Sequence, residues 1–492
     1  MTIGNFNGIK SLFFDNLTVK QTLFKNTFWL GTADGISKFL KFILFIYVAR
    51  ILGAAEYGKF TFALAFAGLF IIFADLGLSH ITTREFSQEK EKEKKFGALL
   101  SLKILLSLGT LVLILASSFF ITADPLIQKL IWILAICNLA ECFSWIIFAF
   151  LQARQKMEYQ AFTGILESLI VVGTGLFILF YFPSIRNLSY SYLFASLVAL
   201  IFVLILFHFK VQRLSLNWRK SIWKEFLLMS WPIALTGMAA AIYGQTDSVM
   251  MGYFGQIIQT GWYNAASRIV WATIIPMNLI SISFFPVLNK AFNESKEKLQ
   301  KVFDYQMGIM IFFALPIVTG GIVLAPKIID FMYNQSYFSS ILALQILILT
   351  AGIVYFYNPF SQILITFNQQ KKAFWMTMGT AITNVILNLI LIPKYSLYGA
   401  AVATVITHFL TFALFFNLIV RYTYIKPLKS KVLLTFLGAF FSSLIMYFVI
   451  SLPAIYNLHI IFSVLFGALI YSAVFFVLRY ATGKFSRIYE KN

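Results

Sequence analysis

The chain has almost nothing with which to build disulfide or metal chemistry: two cysteines and four histidines in 492 residues. Cys137 and Cys142 share one apolar stretch, five positions apart, a spacing that suits neither a disulfide framework nor a ligand pair. Charge is scarce as well. Only 12% of residues are charged, against about one quarter in soluble domains, which excludes an ordinary globular chain. Acids are the rarer sign, with 19 Asp and Glu against 39 Lys and Arg. No glycine-rich phosphate loop follows a strand pattern, so ATP hydrolysis is not expected to supply energy. No apolar core of a cleavable signal opens the chain either, because Lys10, Asp15, Lys20 and Lys25 interrupt residues 1–26. Ile9, Phe13, Leu17 and Phe24 there form one side of a short helix expected to lie on the cytoplasmic surface.

What is present is hydrophobicity. Apolar residues make up 60% of the chain and the mean hydropathy is +0.83. A bilayer needs about 20 apolar residues per helical crossing, and such stretches fall at 27–51, 59–81, 96–121, 126–152, 160–182 and 188–210. A second set falls at 226–252, 262–288, 302–325, 340–366, 372–393 and 397–421, and a last pair at 432–452 and 457–478 holds no Asp, Glu, Lys or Arg. The expectation is an all-α integral membrane protein of about 14 transmembrane helices. It divides into a 1–26 segment, an N-lobe (27–215), a C-lobe (216–424), and a C-terminal hairpin with a cytoplasmic tail (425–492). Alternating crossings put most Lys and Arg into loops on one side, which makes that side cytoplasmic and both termini with it. The net charge of +20 is therefore an orientation signal that touches anionic lipid headgroups, and no nucleic-acid partner is expected.

The two six-span sets look like copies. The first hairpin reads Arg50-Ile-Leu-Gly53-Ala-Ala-Glu-Tyr57-Gly58, and the seventh and eighth spans are joined by Gly252-Tyr-Phe-Gly255-Gln-Ile-Ile-Gln-Thr-Gly261. In each, a glycine turn ends a span and a second glycine follows five or six residues later. An even number of spans separates them, so the copies are parallel repeats related by a pseudo-two-fold axis along the membrane normal, with a cavity between.

These residues, with Asp75-Leu-Gly77, Thr83-Arg84-Glu85, Asp247-Ser-Val-Met-Met-Gly252, Tyr263-Asn-Ala-Ala-Ser-Arg268 and Phe285-Pro286 in this order, resemble one family. It is that of the polysaccharide and oligosaccharide flippases. They lie within the multidrug/oligosaccharidyl-lipid/polysaccharide exporter superfamily, which includes drug extruders and the lipid II flippase. The resemblance runs from Phe24 to about Arg421, and fourteen spans favour the lipid-linked sugar branch over the drug extruders.

Charged residues inside the spans are the candidate site. Asp34, Lys38 and Lys41 stand at i, i+4 and i+7 on one face of the first span. A charge at mid-span costs at least about 2.5 kcal/mol on insertion scales, so this face should meet water or a partner helix. Asp34 and Lys38 can pair, which leaves Lys41 as an unpaired cation suited to a diphosphate. Arg268, in the eighth span, offers a planar fork to phosphate oxygens, or a salt bridge to Asp247 on the adjoining span. The resemblance implies the first role, since an arginine in the matching segment of the lipid II flippase lies in its cavity. Here the preceding residue is Ser267, where that flippase tends to carry an acid, and this leaves the cargo open. Glu141, Glu167 and Asp247 are candidates for carrying a coupling ion, H⁺ or Na⁺, or for bonding to neighbouring helices. Lys103 and His408 are further buried ionisable residues, and Asp75 and Arg50 lie near span ends where a structural role suffices. Pro232, Pro276, Pro316 and Pro359 fall inside spans of the second lobe, where they permit kinks.

The expected function is movement of a polyprenyl-diphosphate-linked oligosaccharide, of the undecaprenyl type, from the inner to the outer leaflet by alternating access. That activity serves surface polysaccharide assembly in the cytoplasmic (inner) membrane. The alternative is a cation-coupled exporter of small amphipathic molecules. A membrane glycosyltransferase or polymerase fits less well, because the longest outer connection, about Ala325 to Ser340, contributes only Lys327 and Asp330. No cofactor and no metal are expected. A self-contained cavity makes a monomer sufficient, one able to associate with polysaccharide polymerase machinery.

Overall fold

The computed structural model describes residues 15–88 and 95–489. Residues 1–14, with Ile9 and Phe13 of the expected surface helix, and residues 89–94 and 490–492 lie outside it. Among the described residues every regular element is helical, and twelve helices are long and apolar enough to cross a membrane. The first helix, α1 (Val19–Asp75), is 57 residues long. Straight, at 1.5 Å per residue, it would reach about 86 Å, nearly three times the ~30 Å hydrocarbon core. It is broken at Gly53, whose φ of 76° and ψ of 173° are non-helical. A later helix, Gln370–Tyr422, is 53 residues long and broken in the same way at Ser396. Each of the two is long enough for two crossings, so the described helices offer about the fourteen expected from the sequence.

The chain forms two compact units, Met1–Gly261 and Trp262–Asn492. In the first, α1 is followed by α2 (Leu78–Gln88), α3 (Phe96–Ile121), α4 (Pro125–Ala153), α5 (Met157–Tyr181), α6 (Ile185–Lys210) and α7 (Lys220–Tyr253). The start of α1 carries a near-complete capping box: the Gln21 amide N–H donates to Thr18 Oγ1, and the Gln21 side chain accepts from Leu17 N–H at 3.1 Å. At α4, Asp124 accepts from Leu126 N–H at 2.8 Å, with Pro125 at the first helical position where its missing N–H costs nothing.

Helices α1 and α5 lie side by side and run parallel, as two odd-numbered crossings must. The Trp29 and Phe162 rings are 4.9 Å apart, Ser37 Oγ donates to the Gly164 carbonyl at 3.2 Å, and the Tyr47 and Phe180 rings are 5.9 Å apart. A second core closes around Phe96, Phe150 and Phe207, with ring centroids 4.7 to 5.2 Å apart, joining α3, α4 and α6. By contrast, α3 leaves Leu105, Leu108, Val112, Phe119 and Phe120 outward, the last 87% exposed. A run of apolar side chains without protein cover belongs in lipid, and the chain is a multi-pass membrane protein.

The second unit holds α8 (Ile257–Glu294) beyond its first turn, then α9 (Lys296–Met332), a 3₁₀ turn (Gln335–Tyr337), α10 (Ser340–Thr366), α11 (Gln370–Tyr422) and α12 (Ser430–Ser451). After these come the short α13 (Pro453–Tyr456) and α14 (Ile460–Tyr489). The hairpin of α12 and α14, whose stretches 432–452 and 457–478 carry no charge, packs on α9 through Val432, Ala439, Met446, Ile450, Tyr471 and Phe475, in one core with Phe303 and Phe360. The intrahelical prolines expected from the sequence are present at Pro232 in α7, Pro276 in α8, Pro316 in α9 and Pro359 in α10.

Candidate functional site

Among the described residues, three ion pairs tie α1 to neighbouring helices, one near its start, one at mid-span and one at its end. At the start of α1, Lys25 donates to Glu158 Oε2 and to the Gln155 carbonyl, both at 3.1 Å, and Lys25 is fully buried. Asn26 adds a 2.6 Å bond to the Gln155 side chain. These contacts clamp the first turns of α1 to the α4–α5 turn. The sequence gives no hint of the clamp, since Lys25 lies in a stretch that reads as an exposed surface segment.

Sixteen residues further along, roughly 24 Å by helical rise, Lys41 Nζ reaches Glu167 Oε1 of α5 at 2.8 Å. Glu141, from α4, shares the cluster and approaches both Lys41 and Glu167. Three of the seven proposed residues therefore meet at one point, one cation facing two carboxyls from three helices. The structure corrects the reading of Lys41 as the cation left over: it is the residue bonded to a neighbouring helix. Asp34 and Lys38 instead pair with each other along α1 at 2.7 Å, more than half exposed, and tie no helices together.

A second fully buried lysine, Lys103 of α3, pairs with Asp75 at the end of α1, 2.5 Å apart. Ser79 Oγ donates to the same Asp75 oxygen at 2.6 Å, and Lys103 also approaches Cys142 Sγ at 3.3 Å. Both cysteines are free and buried. Asp75 thus closes a three-helix junction, more than the end-of-span position in the sequence indicates.

Beside Asp75 the first unit contains a cavity of about 580 Å³. One stripe of α4 faces it, Trp145, Phe148, Ala149 and Gln152, at i, i+3, i+4 and i+7. Opposite, Gly237, Ala240 and Ala241 of α7 are small enough to leave the space open. Gln152 donates to Gln160 Oε1 at 2.8 Å across the α4–α5 turn, so both amides are oriented at the wall. Reading the sequence for ionisable residues overlooks this stripe. Its signal is the helical spacing of an aromatic and an amide near the end of the fourth span.

In the second unit Arg268 sits about eleven residues into α8 and is half-buried. Hydroxyls fix the axial position of the helix on either side of it: Tyr333 Oη donates to the Ala265 carbonyl at 3.0 Å and Tyr355 Oη to that of Thr273 at 2.9 Å. Trp262 Nε1 further donates to the Ser336 carbonyl at 2.8 Å. Asp247 is buried in α7 of the first unit. His408 meets the Tyr357 hydroxyl at 3.2 Å inside the second unit.

Residues 23–292 match the family model described as "Polysaccharide biosynthesis protein". Among curated proteins, the chain is 22% identical to a putative O-antigen transporter of Escherichia coli, over 81% of this chain and 96% of that one. It is 22% identical to a probable low-salt glycan biosynthesis flippase of Haloferax volcanii, over 75% and 77%. The fold matches that of the lipid II flippase MurJ in an inward closed conformation, with a TM-score of 0.76 at 18% identity over 92% of this chain and 98% of that one. It also matches an inward-facing multidrug resistance transporter of the MATE family, with a TM-score of 0.65 at 17% identity over 77% and 93%. The chain belongs to the polysaccharide biosynthesis protein family, and the relatives and solved structures it resembles carry the names of flippases and transporters.

Proposed function

We propose that this protein carries a polyprenyl-diphosphate-linked oligosaccharide from the inner to the outer leaflet of the cytoplasmic membrane by alternating access, with both termini cytoplasmic. The observation that supports this most is Lys41, a cation at mid-span bonded to Glu167 with Glu141 nearby. A diphosphate presents more negative charge than a carboxylate and forms charge-assisted hydrogen bonds of its own. Arrival of the headgroup therefore competes for Lys41 and releases Glu167.

The freed carboxyl pair can then take up one proton or one Na⁺, which couples headgroup binding to an ion gradient. Arg268 of the second unit is a separate cationic contact for the headgroup during transport, and its guanidinium stays charged throughout. Transport follows if inward and outward states bind the loaded and empty headgroup site with different affinities. Lys38 and Asp34 face the aqueous path and bear on entry. Asp247 serves as an acidic partner during the cycle, and the polyprenyl tail stays in lipid beside the charge-free hairpin.

The test is a reconstituted one. Vesicles containing the purified protein and a fluorescent polyprenyl-diphosphate oligosaccharide should expose that lipid to an outside lectin faster than empty vesicles do. The gain should vanish when the lipid is replaced by a small amphipathic drug. Drug export with no movement of the lipid would favour the cation-coupled exporter instead.

A further inference from the structure

We infer that the cavity walled by Trp145 is a subsite for neutral pyranose rings of the cargo, separate from the groups that hold its diphosphate. The inference rests on the flippase reading and names where the sugar is recognised. The lining holds no Lys or Arg, and its one carboxylate, Asp75, is already neutralised by Lys103 and bonded by Ser79. A space with no net charge to offer does not select a diphosphate, a sugar acid or an organic cation.

What the wall does offer is a ring and several amides. Trp145 is 41% exposed, and neither it nor Phe148 stacks on another aromatic ring among the described residues. The side chains of His80, Trp145 and Gln245 make no hydrogen bond among the described residues although all three line the cavity. The Gln152–Gln160 bond occupies one donor of the first and one acceptor of the second, which leaves further amide positions for a ligand. Pockets that fix a ligand's orientation pair an apolar surface with a few such groups.

A pyranose matches this set: its C–H face lies on an indole, and its hydroxyl rim both donates and accepts, as the glutamine amides of the wall do. The volume, about 580 Å³, lies within the range of roughly 300–1,000 Å³ for small-molecule sites. One or two rings of a longer glycan can enter while the rest trails.

The proposal is tested by binding to the full-length protein in nanodiscs with three probes. They are a polyprenyl-diphosphate oligosaccharide of neutral hexoses, the same polyprenyl diphosphate without sugar, and tetraphenylphosphonium as an aromatic cation. Trp145→Ala and Gln245→Ala should each weaken the sugar-bearing lipid about tenfold and leave the Kd of the sugar-free lipid unchanged. Trp145→Phe should retain most of the affinity, which separates stacking from misfolding. Wild-type protein that binds both lipids equally, with Trp145→Ala changing neither, overturns the subsite and leaves the flippase reading standing. Wild-type protein that binds neither lipid overturns both. Tetraphenylphosphonium binding lost in Trp145→Ala, with both lipids unaffected, overturns the assignment to sugar.

Discussion

Gly58 and Gly261 cross with no room for a side chain on either. A methyl group on Gly58 would lie 1.9 Å from the Ile257 carbonyl oxygen, and one on Gly261 would lie 2.1 Å from that of Ala54. The two glycines are equivalent positions of the repeat seen in the sequence, and the turn glycines before them agree as well, Gly53 at φ 76° and Gly255 at φ 75°. The small residues Ala54 and Gly58, one turn apart, let the backbones of α1 and α8 touch, which is how membrane helices associate when hydrophobic burial cannot drive them.

Gly58→Ala and Gly261→Ala should both force the crossing apart, because the obstructing atoms are backbone. Each should lower the melting temperature of detergent-purified protein by several degrees. Gly173→Ala, in α5 with nothing within 4 Å of the added carbon, should be neutral or stabilising by up to about 1 kcal/mol through helix propensity. Equal behaviour of all three variants would contradict the contact.

Lys103→Met leaves Asp75 buried without its partner, and breaking a buried pair in this way typically costs about 3–5 kcal/mol. The double variant Lys103→Met/Asp75→Asn removes the orphaned charge and should recover much of that loss. Thermal unfolding of the single and double variants measures the coupling. A double variant no more stable than the Lys103→Met single would show that the pair does not hold the α1–α3 junction.

The Asp34–Lys38 pair is more than half exposed on the face of a membrane span. Facing lipid, each charge would cost at least about 2.5 kcal/mol, so the face should be wet. A cysteine placed at Lys38 should react with a membrane-impermeant thiol reagent, and one at Leu108, on the outward face of α3, should not. Cys137 and Cys142, at 2% and 0% exposure, should stay silent in the same protein. Protection of Lys38→Cys would put this face in lipid.

How much of this was legible in the sequence follows from what a helix repeat encodes. Span positions and the helical face shared by Asp34, Lys38 and Lys41 follow from local periodicity, and the turn glycines Gly53 and Gly255 from their chemistry. Pairing across the fold does not: Lys41 and Glu167 are 126 residues apart, and nothing local marks which acid a mid-span lysine will meet. The same holds for Lys103 and Asp75. The Trp145 stripe was readable in principle, but an uncharged side chain at a span end carries no insertion penalty to draw attention to it.

Loss of transport on removing the cations is the most direct measure of the account. In vesicles loaded with a polyprenyl-diphosphate oligosaccharide, Lys41→Ala and Arg268→Ala, each checked for folding by thermal unfolding, should slow translocation about tenfold to a hundredfold, the worth of one charge-assisted contact. Undiminished translocation in both variants would contradict the diphosphate site and the mechanism built on it.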